Sequence, residues 1–258
     1  MNLVNRLIGG FLILVILIGM AFMGRLAFSI GIGIFSSIAI IEMKNALKNI
    51  GYNLPYKFAL IMNLLFMIDA YVGRYDFSVL GIVVILISIF IYMIFNKTYK
   101  MQDFFALLFA VTYISLFMSN AIRIKDSIYV FMLYIIAWGS DTSAFIAGSL
   151  FGKRKITAIS HISPNKTVEG FLGGIIGAVI LNLIYVKYIN LDKNLMVVVG
   201  FTILAAILSE VGDLVASFIK RKCDIKDYGN VIRGHGGILD RFDSVLFVSP
   251  VMFLFSIL

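Results

Sequence analysis

The stretch LMVVVGFTILAAILSEVGDLVASFIKR, Leu195 to Arg221, decides the fold. Its first fourteen residues are apolar or small apart from Thr202, and apolar residues continue between the polar ones to Ala216. A helix crossing the hydrocarbon core of a bilayer needs about 20 mostly apolar residues, so residues 195–216 read as a membrane span. Similar runs occur at 5–23, 26–42, 56–72, 77–95, 103–119, 127–149, 169–188 and 239–258. The expected fold is all-α: a polytopic integral membrane helical bundle with about nine transmembrane helices.

Composition agrees. Of 258 residues, 61% are hydrophobic and 14% charged, against about 45–50% and about 25% in soluble domains. That excludes a water-soluble enzyme. Three prolines and a single cysteine exclude collagen and disulfide scaffolds, and Cys223 has no partner for an internal disulfide. The excess of 22 Lys and Arg over 14 Asp and Glu would suggest nucleic acid in a soluble protein. Beside a bilayer it reads instead as cytoplasmic loop charge meeting anionic headgroups, with no nucleic acid partner. The apolar run Leu7–Met23 follows Arg6, is long for a signal peptide and has no A-x-A-like end, so it reads as a retained first span.

Charge asymmetry orients the bundle. With nine spans and a cytoplasmic N-terminus, only Arg25, Arg74, Arg123, Lys125, Lys187 and Lys193 fall on the opposite face. The remaining basic residues lie on the cytoplasmic side, as the positive-inside rule requires. The C-terminus is then outside and the two long polar loops are cytoplasmic. Residues 1–127 read as hydrophobic spans with ordinary loops. Residues 128–258 form the catalytic membrane region of one integrated bundle.

Three constellations carry candidate chemistry. Trp138-Gly139-Ser140-Asp141-Thr142 puts a carboxylate inside a span, where insertion costs about 2.5–3.5 kcal/mol and a partner or watery cavity is the rule. Asp141 therefore belongs either to a polar site or to an interhelical hydrogen bond. The second is Ser163-Pro164-Asn165-Lys166-Thr167-Val168-Glu169-Gly170. Its amides and Lys166 stand before a helix start, which makes an anion site or an ordinary helix cap. Lys153-Arg154-Lys155 upstream reads as a solvated, lipid-facing cluster, and Gly170, Gly173, Gly174 and Gly177 as close helix packing.

The third begins in the opening stretch. On one helix, Glu210, Asp213, Ser217 and Lys220 recur at spacings of three and four and share a face. Gly234-His235-Gly236-Gly237-Ile238-Leu239-Asp240-Arg241-Phe242-Asp243 follows, with Asp240 and Asp243 again three apart. Carboxylates from two helices with flanking Lys and Arg suit a phosphate-bound divalent cation, since magnesium usually takes one or two carboxylates plus substrate phosphates. The alternative is a set of interhelical ion pairs. Two histidines and one cysteine leave no zinc site, and no Walker-type loop is present.

The string from Ser217 to Asp243, S-F-I-K-R, then K-D-Y-G, then H-G-G-I-L-D-R-F-D, resembles the phosphatidate cytidylyltransferase (CDP-diacylglycerol synthase) family. Asp141-Thr142, Ser163–Gly170 and Gly212-Asp213-Leu214 join the resemblance, which covers about residues 137–245. Two positions depart: Arg233 stands where the family usually has proline or glycine, and Glu210 where it often has glutamine. The resemblance implies a magnesium-dependent transfer from CTP to phosphatidate in the bilayer, giving CDP-diacylglycerol and pyrophosphate in phospholipid biosynthesis. By position it assigns Asp213 and Asp240 to Mg²⁺, Lys220 to phosphate, and Asp243 to a supporting role or a second, monovalent cation. Ser217 becomes an accessory ligand. Ser163, Lys166, Thr167, Arg221, His235, Arg241 and Asp141 form the substrate-binding set.

Three rivals stay open. An ether-lipid (archaetidate) cytidylyltransferase and a CTP-dependent lipid kinase share the chemistry in part. An ion-coupled transporter would place its acids near the midplane with weak repeats, whereas these acids cluster at cytoplasmic span ends. The glycine-rich faces suit a homodimer as well as packing within the chain.

Overall fold

The computed structural model describes residues 16, 18–73, 75–229 and 236–258. From Arg25 onward eight α-helices follow one another among them: α1 Arg25–Lys48, α2 Tyr56–Val72, α3 Tyr75–Phe95, α4 Met101–Arg123, α5 Ser127–Phe151, α6 Val168–Tyr188, α7 Leu195–Lys222 and α8 Leu239–Ile257. Each overlaps one of the expected spans, α1 and α7 running six residues past the expected ends at 42 and 216. The expected span at 5–23 lies mostly outside the described residues. Five helices, α1, α4, α5, α6 and α7, are long and apolar enough to cross a membrane. The protein is an all-α membrane protein, and among the described residues no strand forms beyond a bridge between Lys155 and Thr167.

Local chemistry sets the helix ends. Asp126 accepts the Ile128 N–H at 3.0 Å and starts α5, a side-chain acceptor for one of the unsatisfied N-terminal donors. Thr167 does the same for α6 by accepting from Gly170 N at 3.1 Å. Asp103 accepts from Lys100 N and from Asn53 N, tying the start of α4 to the preceding loop. Gly73 closes α2 with a φ of 66°, a left-handed conformation that glycine adopts without a Cβ penalty.

The chain forms two compact units. The first contains residues up to Lys125 together with Lys222–Arg241; the second contains Asp126–Arg221 and Phe242–Leu258. In the first, α1, α2 and α4 pack against one another, and α3 lies on α2. The ion pair Arg123–Asp69, at 2.6 Å, joins α4 to α2. A π-turn at Val111–Leu116 interrupts α4.

In the second unit the main contact is α5 on α6, and it is made by small residues. A Cβ on Gly173 would overlap that of Ala147, and one on Gly177 would overlap the Ser143 side chain. Gly170 and Gly174 meet the α5 backbone at Ala144 and Ser140 in the same way. The glycine run is thus helix packing, as its spacing suggested. It brings Thr167, at the end of the Ser163–Thr167 loop, beside Gly148 and Gly152 at the C-terminal end of α5.

Candidate active site

Close approach of α6 to α5 is the first condition for the site, and close approach of α8 to α7 is the second. A Cβ on Gly212 would lie 2.6 Å from the Asp243 carbonyl and 3.0 Å from Phe247. The bare backbone at Gly212 lets the two helices touch, which sets Asp213 and Asp243 on adjoining surfaces.

Lys166 is the centre of the second unit's polar cluster. Its Nζ donates to Glu210 Oε2 at 2.6 Å and pairs with Asp213 Oδ2 at 2.9 Å. The Glu210 side chain is 2% exposed, that of Lys166 19% and that of Asp213 33%. Burial works against the Lys166 charge, but Asp213 and then Glu210 outweigh it, so the ammonium pKa is raised above its ordinary value. Ser140 of α5 lies beside Glu210, although neither its Oγ nor Glu210 Oε1 makes a hydrogen bond of ordinary geometry. Gly174 leaves room for Glu210, since a Cβ there would lie 2.7 Å from Oε1.

Asp141 completes the cluster. Both of its oxygens accept from the Ser244 hydroxyl, at 3.1 and 2.9 Å. Its carboxylate stands within electrostatic reach of Asp243, Asp213 and Glu210. Asp141 of α5 therefore shares a partly desolvated setting with Asp243 of α8 and with Glu210 and Asp213 of α7, the two that pair with Lys166. Such an excess of oxygen donors and negative charge attracts a hard cation.

The loop bearing Lys166 is fastened at several points. Ile156 N donates to Lys166 O and Val168 N to Arg154 O. Glu169 Oε2 accepts from Lys153 N and Arg154 N, while Lys153, Arg154 and Lys155 themselves are exposed. From the far end of α7, Arg221 Nε donates to Ile162 O at 3.4 Å. Thr167 is buried and its hydroxyl caps α6, whereas Ser163 is half-buried on the same loop. Ser217 and Lys220 continue along α7 beyond Asp213, both half-buried. The helix does run unbroken through this stretch, so Glu210, Asp213, Ser217 and Lys220 keep the helical spacing.

Asp240 belongs to the first unit and has its own surroundings. Its Oδ2 accepts from Tyr228 N at 2.8 Å and from Gly237 N at 2.9 Å. Arg241 follows in the first turn of α8. His235 and Arg233 lie outside the described residues. One functional candidate escaped the sequence reading in this unit: Glu42 of α1, 4% exposed, accepts from Ile238 N and Leu239 N at 2.9 and 2.8 Å. The sign was available, since an acid at the end of an apolar run is a candidate for a buried partner.

The cytidylyltransferase family matches residues 4–258, nearly the whole chain. The protein belongs to that family. A Bacillus subtilis (strain 168) protein named phosphatidate cytidylyltransferase is 30% identical over 259 residues, which span 96% of both chains. Proteins of the same name from Staphylococcus aureus (strain COL) and Staphylococcus epidermidis are 40% and 43% identical over 124 residues, 48% of this chain and 47% of theirs. For a cytidylyltransferase, the cluster's chemistry is apt. Its substrates are polyanions, and its residues pair a lysine with carboxylates able to share a cation with phosphate. Among the described residues no group of three or more His, Cys, Asp or Glu could hold a metal by themselves. Carboxylate oxygens of this kind are what a hard cation takes when it is shared with phosphate.

Proposed function

We propose that this membrane cytidylyltransferase transfers the cytidylyl group of CTP to phosphatidate. A phosphate oxygen of the lipid forms a bond to the α-phosphorus of CTP. The bond from the α-phosphorus to the bridging oxygen breaks, and that oxygen leaves with pyrophosphate. The nucleophile comes from the substrate, so the protein's part is positioning and charge stabilisation. The match to the B. subtilis phosphatidate cytidylyltransferase along 96% of both chains carries this reading.

In this account Lys166 binds phosphate, leaving the carboxylates Glu210 and Asp213 that hold it at rest. Lys220 and Arg221 at the end of α7 supply further positive charge, and Ser163, Ser217, His235 and Arg241 complete the substrate contacts. Thr167 shapes the loop through its cap on α6. Asp213 would be a ligand of Mg²⁺ in the second unit, with Asp141 and Asp243 as supporting carboxylates or as ligands of a second, monovalent cation, and Asp240 would serve as a metal ligand in the first unit. Bound magnesium would neutralise charge on the phosphates and on departing pyrophosphate. The N-terminus and the site face the cytoplasm, where CTP is found, and the C-terminus lies outside. A homodimer would use a surface other than the α6 glycine face, which α5 covers.

The test is a lipid panel. Purified protein in detergent receives CTP and Mg²⁺ with phosphatidate, its ether-lipid counterpart or a polyprenol. CDP-diacylglycerol as the main product supports the proposal. Preference for the ether lipid, or a phosphorylated polyprenol, overturns it.

A further inference from the structure

The first unit holds a buried carboxylate that the reaction above does not use. Glu42 sits near the end of α1, its two oxygens each taken by one backbone amide: Ile238 N on Oε1 and Leu239 N on Oε2. These amides open α8, where unsatisfied donors and the helix dipole favour a negative charge. The fit is tight. A Cβ on Gly237 would overlap the Glu42 carboxylate, and one on Gly229 would lie 2.6 Å from Oε1. Gly236, immediately before, has a φ of 82°, which favours glycine.

Asp240 uses the neighbouring amides of the same segment. It accepts from Gly237 N and reaches back to Tyr228 N. Two carboxylates thus hold the segment from both sides: Glu42 takes the amides of residues 238 and 239, Asp240 those of 237 and 228. Movement of the Glu42 contact must move the turn from which Asp240 projects.

We propose that Glu42 is a positioning residue, fixing the start of α8 so that Asp240 is held for cytidylyl transfer. The proposal rests on the reading of Asp240 above. It gives an acid in the hydrophobic half of the chain a part in the reaction, through backbone amides and without substrate contact.

Three variants test it: Glu42→Gln, Glu42→Ala and Gly237→Ala. Gln keeps one acceptor and turns an NH₂ group toward the other amide. Gly237→Ala displaces the same contact while leaving Glu42 in place. Hydrogen exchange on the full chain in detergent, without Mg²⁺ or CTP, reads the segment directly. The expected result is faster exchange of peptides covering 236–241, with α5 and α6 unchanged. On folded protein kcat falls on the order of 10–100-fold, the scale of a small misplacement, with Gln milder than Ala. KM for the lipid stays within about twofold, since substrate binding elsewhere is untouched. Faster exchange with unchanged kcat would make Glu42 a structural cap only and overturn the proposal. Unchanged exchange in Glu42→Ala would also overturn it. Should wild-type protein accept another lipid in place of phosphatidate, the proposed reaction fails, and kcat on the accepted lipid still decides Glu42.

Discussion

Lys166 Nζ lies 2.6 Å from Glu210 Oε2, joining the loop before α6 to the middle of α7. A buried pair broken on one side leaves an uncompensated charge, a loss of about 3–5 kcal/mol where burial is complete. Lys166 and Asp213 keep some solvent exposure, so Lys166→Met should destabilise by about 3 kcal/mol at most. Thermal unfolding in detergent measures this. Turnover should fall as well, because the ammonium proposed to bind phosphate is gone.

Glu210→Gln should behave differently. The glutamine carbonyl can still accept from Lys166, and the Asp213 pair remains. Stability should change by about 1 kcal/mol or less, with turnover preserved, in keeping with the glutamine often found here in the family resembled. Collapse of activity in this variant would give the Glu210 charge a role in the reaction.

The Lys166 charge also sets an alkaline limit. Its folded pKa is raised above the ordinary 10.5, since Asp213 and Glu210 overcome burial. A base with a raised folded pKa contributes stability that is complete below the unfolded pKa and disappears as pH rises through the folded one. In metal-free protein the stability difference between wild type and Lys166→Met should therefore be constant from the pH at which Asp213 and Glu210 are ionised up to 10.5, and shrink above it. Unfolding midpoints measured for both proteins along a pH series check the sign.

The α5–α6 contact should reject a side chain at two glycines. A Cβ on Gly173 would overlap the Cβ of Ala147, and one on Gly177 the Cβ of Ser143, and neither of those atoms can rotate away. Gly173→Ala and Gly177→Ala should each cost about 1–3 kcal/mol as overpacking changes. Denaturation of the two variants beside wild type measures both.

Cys223 is buried just beyond α7. Burial and then the Asp224 charge push its thiol pKa up, which suppresses the reactive thiolate. Alkylation at pH 8 should be slow in folded protein and fast after denaturation. Rapid labelling of the native chain would contradict the burial.

Much of this architecture was legible because the bilayer imposes a length. The runs at 56–72, 127–149 and 195–216 reappear as α2, α5 and α7, with α5 extended by Leu150 and Phe151 and α7 by the largely polar Ser217–Lys222. The glycine spacing at 170–177 also kept its meaning, since only small residues let α6 reach α5. Polar partners were harder to foresee. Ser244, separated from Asp141 by more than a hundred residues, hydrogen-bonds to it only because α8 folds back onto α5. Glu42 has no local motif either, and its partners are backbone amides of residues 238 and 239. The π-turn in α4 left no sign in its apolar sequence.

The most direct measurement follows the fate of labelled phosphate. Purified protein with Mg²⁺ and phosphatidate receives CTP labelled at either the α- or the γ-phosphate, beside Asp213→Asn. The account predicts α-label in the lipid product, γ-label in released pyrophosphate, and little of either with the variant. Label from the γ-phosphate in the lipid would mean phosphoryl transfer and would contradict cytidylyl transfer. Full activity in Asp213→Asn would contradict the role given to Asp213.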